Sequence, residues 1–221
     1  MLEIKVKICC ISNLEEAKIA IELGVSAIGL VSEMPSGPGV ISEIEIAEIA
    51  NSVPKNIDTF LLTSKQNSNE IINQLKNCKT NTVQIVDNLI EGNYSDIKNK
   101  IPKIKIVQVL HVQNEQSIDD ALAIENEVDA ILLDSGNQIL SVKELGGTGR
   151  THNWDISKSI VEKVKVPVYL AGGLNSQNIV EAVKTVKPYG VDLCSSIRTN
   201  GKLDKQKLLK FFNQINSLKI L

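Results

Sequence analysis

The chain has 221 residues, 43% of them hydrophobic and 23% charged, with 3% aromatics and a formal net charge of −2. That length suits one domain able to bury roughly 70% of its unfolded surface, so a core needs neither disulfide nor metal. Balanced charge and scarce aromatics argue against a nucleic-acid or acidic-membrane partner, and no apolar run of about 18 residues offers a membrane span.

Met1 to Val6 reads as a strand and not as a signal peptide. From there short β-branched runs alternate with longer amphipathic ones. A strand over 3–9 leads to a helix over 14–23, with Asn13 as its N-cap. A strand over 27–31 precedes a helix over 43–51 capped by Ser42. Strands over 57–62 and 82–86 precede helices over 69–76 and 94–100. Strands over 104–111 and 130–134 precede helices over 117–126 and 155–164. A strand over 167–171 leads to a helix over 176–186 behind Asn175. The last pair is a strand over 191–194 and a helix over 204–216, where Leu208, Leu209, Phe212 and Ile215 fall at helical spacing. Eight such units predict a single-domain (β/α)8 TIM barrel over residues 1–221, with a doubly wound open sheet as the alternative.

In either architecture the chemistry gathers at the carboxyl ends of the strands. On the first strand Ile4, Val6 and Ile8 share one face, and Lys5, Lys7 and Cys9 share the other. This puts Lys7 and Cys9 inside the barrel, where an ammonium near a thiol favours the thiolate. Cys10 is expected to point outward and pack. The four cysteines, Cys9, Cys10, Cys78 and Cys194, lack zinc spacing and read as reduced thiols of a cytoplasmic protein. Asp134 closes an apolar run, a costly place for a carboxylate unless it is partnered or used. Three late stretches carry the features of an anion cradle: Gly146-Gly147-Thr148-Gly149, Gly172-Gly173, and Cys194-Ser195-Ser196. Arg150 and Arg198 are the only arginines, and both are expected beside that cradle. His111 ends the fifth strand and is a further candidate for the cavity, while Trp154 and His152 read as packing and loop residues.

As a set these pieces resemble the phosphoribosylanthranilate isomerase family. The matching stretches are Lys7-Ile8-Cys9 with Ser12-Asn13, Ala27 to Val31, Leu132-Leu133-Asp134, Gly146 to Gly149 with Trp154, Leu170 to Asn175, and Gly190-Val191-Asp192. The resemblance implies a TIM barrel without metal or cofactor that carries out an Amadori rearrangement of a phosphorylated sugar in tryptophan biosynthesis. It assigns Cys9 as general base and Asp134 as general acid. Lys7 and the Gly147–Gly149, Gly172-Gly173 and Ser195-Ser196 stretches would bind substrate and its phosphate. It leaves a homodimer open.

Four departures stand out. Cys10 follows Cys9 where the family has glycine. Gly39 stands where the family places an arginine for the anthranilate carboxylate, with Lys65 or Arg150 as stand-ins. Gln84-Ile85-Val86-Asp87 lacks the family's histidine. Cys194-Ser195-Ser196-Ile197-Arg198 replaces Ser-Ser-Gly-Val-Glu. Two alternatives therefore stay open beside the isomerase: a relative isomerising another sugar phosphate, and a non-catalytic sugar-phosphate-binding barrel.

Overall fold

In the computed structural model, which describes residues 4–136, 142–143, 145–146 and 149–218, consecutive strands pair in parallel and the first closes on the eighth. The strands are β1 (Lys5–Ile8), β2 (Ala27–Val31), β3 (Asp58–Thr63), β4 (Thr82–Ile85), β5 (Lys105–His111), β6 (Ala130–Asp134), β7 (Val168–Leu170) and β8 (Gly190–Leu193). Between them run α1 (Leu14–Glu22), α2 (Glu43–Ser52), α3 (Ser68–Cys78), α4 (Tyr94–Lys100), α5 (Gln116–Ile124), α6 (Trp154–Lys163) and α7 (Ile179–Val186), and α8 (Lys205–Ser217) follows β8. The barrel, not the open sheet, is thus the fold. It arises because each strand is buried on both faces and therefore rich in Val, Ile and Leu.

Strand alternation divides the apolar side chains into two layers. Val6, Ile8, Ile28, Leu30 and Ile106 face outward into the main core against the helices. Ala27, Phe60, Val107, Val109, Leu132 and Tyr169 fill the barrel interior. Gly29 lies on the inner face of β2, where an added Cβ would come within 3.0 Å of Lys7 Nζ. The missing side chain is what makes room for a lysine inside the barrel.

The expected caps at α1 and α2 form. Asn13 accepts from the Glu16 amide, and Ser42 makes a reciprocal capping box with Glu45. Asn175 does not cap α7. That helix starts at Ile179, and the Asn175 side chain instead accepts from the Gln177 and Asn178 amides, closing the turn that leaves β7. Beyond β8 the chain adds a 3₁₀ turn (Ser195–Ile197) and a small hairpin of β9 (Arg198–Thr199) and β10 (Lys202–Leu203). Asn200 and Gly201 form its two-residue turn at φ 51° and 77°, as this dipeptide favours. Among the described residues no helix is long and apolar enough to cross a membrane.

Candidate active site

A single pocket at the carboxyl end of the barrel is lined by Cys9 and Cys10 after β1, Gln84 of β4, Asp134 of β6, Gly172-Gly173 after β7, and Asp192, Cys194 and Ser195 at β8. Its roof joins two loops. Met34, Ser36, Gly37 and Pro38 come from the β2–α2 loop, and Leu145, Gly146 and Gly149 from the β6–α6 loop. Ser36 Oγ ties them by donating to the Lys143 carbonyl at 2.6 Å.

Asp134 ends β6 with its carboxylate side chain 8% exposed. Burial raises its pKa above the ordinary carboxyl value, and the bond from the Ser135 amide, 2.7 Å from Oδ1, pulls only partly the other way. The β6–α6 loop can approach this close because Gly146 has no side chain. A Cβ there would lie 2.8 Å from Asp134 Oδ2. His111, the register partner of Asp134, points its Nε2 at the Val86 carbonyl 3.1 Å away and does not line the pocket.

Lys7 is fully buried beneath the pocket floor and does not line it. Its Nζ donates to Asp192 Oδ2 at 2.7 Å and sits 5.2 Å above the Phe60 ring centre. The two side chains meet because Lys7 and Asp192 are register partners on β1 and β8. Burial alone would lower the Lys7 pKa, but Asp192, with Cys9 and Cys10 adding to it, outweighs burial and the net shift is upward. Burial pushes the Asp192 carboxyl up to about 7 against the pull of Lys7. Asp192 Oδ1 and Gln84 Oε1 are buried without a protein partner. Both side chains line the pocket, so a polar ligand would satisfy them.

The thiol chemistry differs from the expectation. Cys10 does not point outward. β1 ends at Ile8, and Cys10 adopts φ 62°, so strand alternation no longer applies to it. Its Sγ lies 3.7 Å from Cys9 Sγ and 2.7 Å from Cys194 Sγ. The bond from Cys10 lowers the Cys9 pKa, but the bond toward Cys194 and burial outweigh it and outweigh Lys7, so the net shift is upward. The lysine therefore does not by itself make Cys9 the acidic thiol. That position falls to Cys194, whose pKa the bonds from Cys10 and Cys9 lower to about 4, with Arg198 adding to the effect. Cys78 is buried away from the mouth, and its pKa is pushed up to about 12.

Two other expectations are corrected. Arg198 is not at the anion cradle. Its guanidinium bridges Glu16 and the carbonyls of Cys9, Cys10 and Gly201. Gly39 does not line the pocket, and at φ 80° an added Cβ would meet Cys10 Cβ at 2.5 Å. Cys10 thus occupies the space a side chain at 39 would need. Gly39→Ala is expected to cost about 1–3 kcal/mol in urea unfolding, and Cys10→Gly in the same chain to recover part of it.

Gly172 and Gly173 adopt φ 77° and 62°, as a tight anion-binding turn requires. A Cβ on Gly173 would lie 2.7 Å from the Arg150 carbonyl carbon, so this turn packs directly on the loop before α6. His152 supports the same loop through a 2.7 Å contact of Nε2 with Ser157 Oγ, and burial lowers its pKa to about 4, leaving it neutral. Ser195 lines the pocket. Ser196 does not, and its Oγ is buried without a partner. Gly147 and Thr148 lie outside the described residues. Arg150 and Lys65 do not line the pocket, and no Lys or Arg does among the described residues.

Sequence reading named Cys194 only within the anion cradle, took Cys10 as packing, and gave Asp192 and Gln84 no part in the chemistry. For Asp192 the signal was present, since it sits one strand over from Lys7 once the barrel is closed.

Fold and site together define a (β/α)8 barrel with an acid-and-thiol pocket at the carboxyl ends of its strands, where TIM-barrel enzymes place their chemistry. Residues 6–214 match the family model of N-(5′-phosphoribosyl)anthranilate (PRA) isomerase. The chain is 32% identical to N-(5′-phosphoribosyl)anthranilate isomerase of Methanosarcina acetivorans, over 97% of this chain and 94% of that one. It is 37% identical to that of Bacillus cereus, over 94% and 95%. Among solved structures, phosphoribosyl anthranilate isomerase from Thermotoga maritima superposes with a TM-score of 0.81 at 26% identity, covering 97% of this chain and 99% of the other. The Pyrococcus furiosus enzyme gives 0.79 at 26% identity, with the same coverage. The chain belongs to the N-(5′-phosphoribosyl)anthranilate isomerase family, a family of isomerases.

Proposed function

We propose that this chain isomerises N-(5′-phosphoribosyl)anthranilate in tryptophan biosynthesis, with Asp134 as general acid and Cys9 as general base. The observation that carries the reading is that a carboxyl with a raised pKa and a thiol line one pocket from β6 and β1. Asp134 gives its proton to the ribose ring oxygen, the bond from that oxygen to C1 breaks, and an open-chain Schiff base forms. Cys9 as thiolate then takes the proton from C2, and the enol tautomerises to the ketose. No atoms are gained or lost. The phosphate is held by backbone amides of the Gly172-Gly173 turn and the Ser195 turn. Lys7 acts from below by anchoring Asp192, whose second oxygen faces the pocket. The proposal needs no cofactor or metal. It places the protein in the cytoplasm with a phosphorylated small molecule as its ligand. It includes a homodimer, testable by light scattering against the 24.2 kDa chain mass.

Loss of anthranilate fluorescence on adding the purified protein to N-(5′-phosphoribosyl)anthranilate tests the activity. No turnover, with phosphosugar still bound, would leave an isomerase of another sugar phosphate or a non-catalytic binding barrel. The aglycone end carries its own expectation, since no Lys or Arg lines the pocket among the described residues. A charge-assisted contact to the carboxylate would be worth about 1.5–3 kcal/mol, roughly ten- to more than a hundredfold. The corresponding aniline adduct, which lacks the carboxylate, is therefore expected to match the anthranilate adduct in kcat/KM to within about tenfold. A larger gap would show that a cation reaches the site from elsewhere.

A further inference from the structure

The isomerase reading uses one thiol, yet three meet at the pocket mouth. Cys10 Sγ lies 2.7 Å from Cys194 Sγ and 3.7 Å from Cys9 Sγ. The cluster is built from two adjacent strand ends, since β1 and β8 pair in register through Ile8 and Leu193. It also shapes its surroundings. Cys10 takes a left-handed backbone, which strains a residue that bears a side chain. Gly39 leaves the space that Cys10 fills.

The geometry points to Cys10 and Cys194 as a redox-active dithiol that closes to a disulfide across the pocket mouth when the protein meets a peroxide. Cys194 is the attacking member. It is half-buried and lines the open pocket, whereas Cys10 is 5% exposed. The bonds from Cys10 and Cys9 favour its thiolate, and Arg198 adds to this. The Cys194 thiolate attacks one oxygen of hydrogen peroxide, the O–O bond breaks, hydroxide leaves and a sulfenic acid forms. Contact with Cys194 and Cys9, together with burial, raises the Cys10 pKa, and Cys10 acts as the resolving thiol. Its sulfur attacks the Cys194 sulfur, water leaves, and the S–S bond forms. The dithiol has lost two electrons and the peroxide has gained them. The two sulfurs need little movement to reach the roughly 2.05 Å of a bonded pair. Cys9 lies farther from Cys10 and is its chain neighbour, so a bridge between those two would close a strained ring of eight atoms. Oxidant is thereby taken up by the outer pair, and Cys9 keeps its thiol.

The test reads sulfur and not turnover, so its failure is distinct from failure of the isomerase reading. The full chain is treated with a slight molar excess of hydrogen peroxide, alkylated, digested without reductant and mapped by mass spectrometry. The expected product is one peptide pair joined through Cys10 and Cys194, with Cys9 and Cys78 alkylated. Two of the four thiols are then lost, and both return with dithiothreitol. In Cys10→Gly, where glycine suits the left-handed backbone, the bridge is expected to vanish and dimedone to trap a sulfenic acid on Cys194. In Cys194→Ser the bridge is expected to be absent too. A bridge that includes Cys9, oxidation of Cys9 ahead of Cys194, or four intact thiols in the unmodified chain would overturn the assignment.

Discussion

Replacing Asp134 with asparagine is expected to lower kcat by about 10²–10⁴-fold, the usual worth of a positioned general acid or base, with KM changed far less. Asparagine keeps the shape of the side chain and can still accept from the Ser135 amide, so the fold at the end of β6 is retained. What is lost is the proton delivered to the ring oxygen. Cys9→Ala is expected to lower kcat over the same range, and the double variant to fall little further, because both residues serve one sequence of proton transfers. The pH profile gives a second check. Asp134 must hold the proton it donates, and burial raises its carboxyl, so that proton is kept to higher pH than the ordinary carboxyl value of about 3.9 before activity falls. Cys9 must lose its proton to act as base, so its net upward shift moves the rise of activity with pH upward. In Asp134→Asn the fall at high pH should disappear from whatever activity remains, leaving only the rise as the Cys9 thiolate forms. Full activity in both single variants would remove the acid–base pair from the mechanism.

That Cys9 and Asp134 face one pocket was legible in the sequence because each is fixed by local pattern. Alternation along β1 puts Cys9 on the inner face, and Asp134 closes a run of four apolar residues. Alternation failed one residue later. Cys10 lies past the end of β1 in a left-handed conformation, and no pattern in a single sequence announces a positive φ at a cysteine. Gly39 read as the loss of an arginine, but its meaning depends on Cys10, and that contact is made only in the folded chain. Arg198 was misread for the same reason. Its partner Glu16 is 182 positions away in sequence, and only closure of the barrel brings α1 beside the segment after β8. Residues whose role comes from within one strand or turn could be read. Apart from Asp192, which strand register sets beside Lys7, residues whose role comes from the seam between the first and last strands could not.

That seam carries the largest expected stability effect. Glu16 and Arg198 are both 7% exposed in their side chains and lie 3.1 Å apart. Glu16 also accepts from the amides of Ser12 at 3.1 Å and Leu203 at 2.8 Å. Arg198 in turn donates to the carbonyls of Cys9, Cys10 and Gly201. Arg198→Ala leaves a buried carboxylate without its counter-ion and is expected to destabilise the protein by about 3–5 kcal/mol. For a chain of this size that corresponds to a fall in Tm of roughly 6–20 °C, or a lower urea midpoint at unchanged slope. Glu16→Ala should cost a similar amount, and the double variant less than the sum, since the second change removes the charge the first left stranded. The pH dependence has a defined sign. Burial alone would raise the Glu16 pKa, but the Leu203 amide and Arg198 outweigh it and hold it below its usual value. The pair's contribution is therefore fully present above the unfolded value of about 4.3 and is lost as pH falls through the folded one. Glu16→Gln should abolish that part of the acid sensitivity. Because Arg198 also fixes the backbone that presents Cys9, Arg198→Ala is expected to lower kcat more than it raises KM even where the variant remains folded. A variant as stable as the parent would show that the barrel closes without this pair.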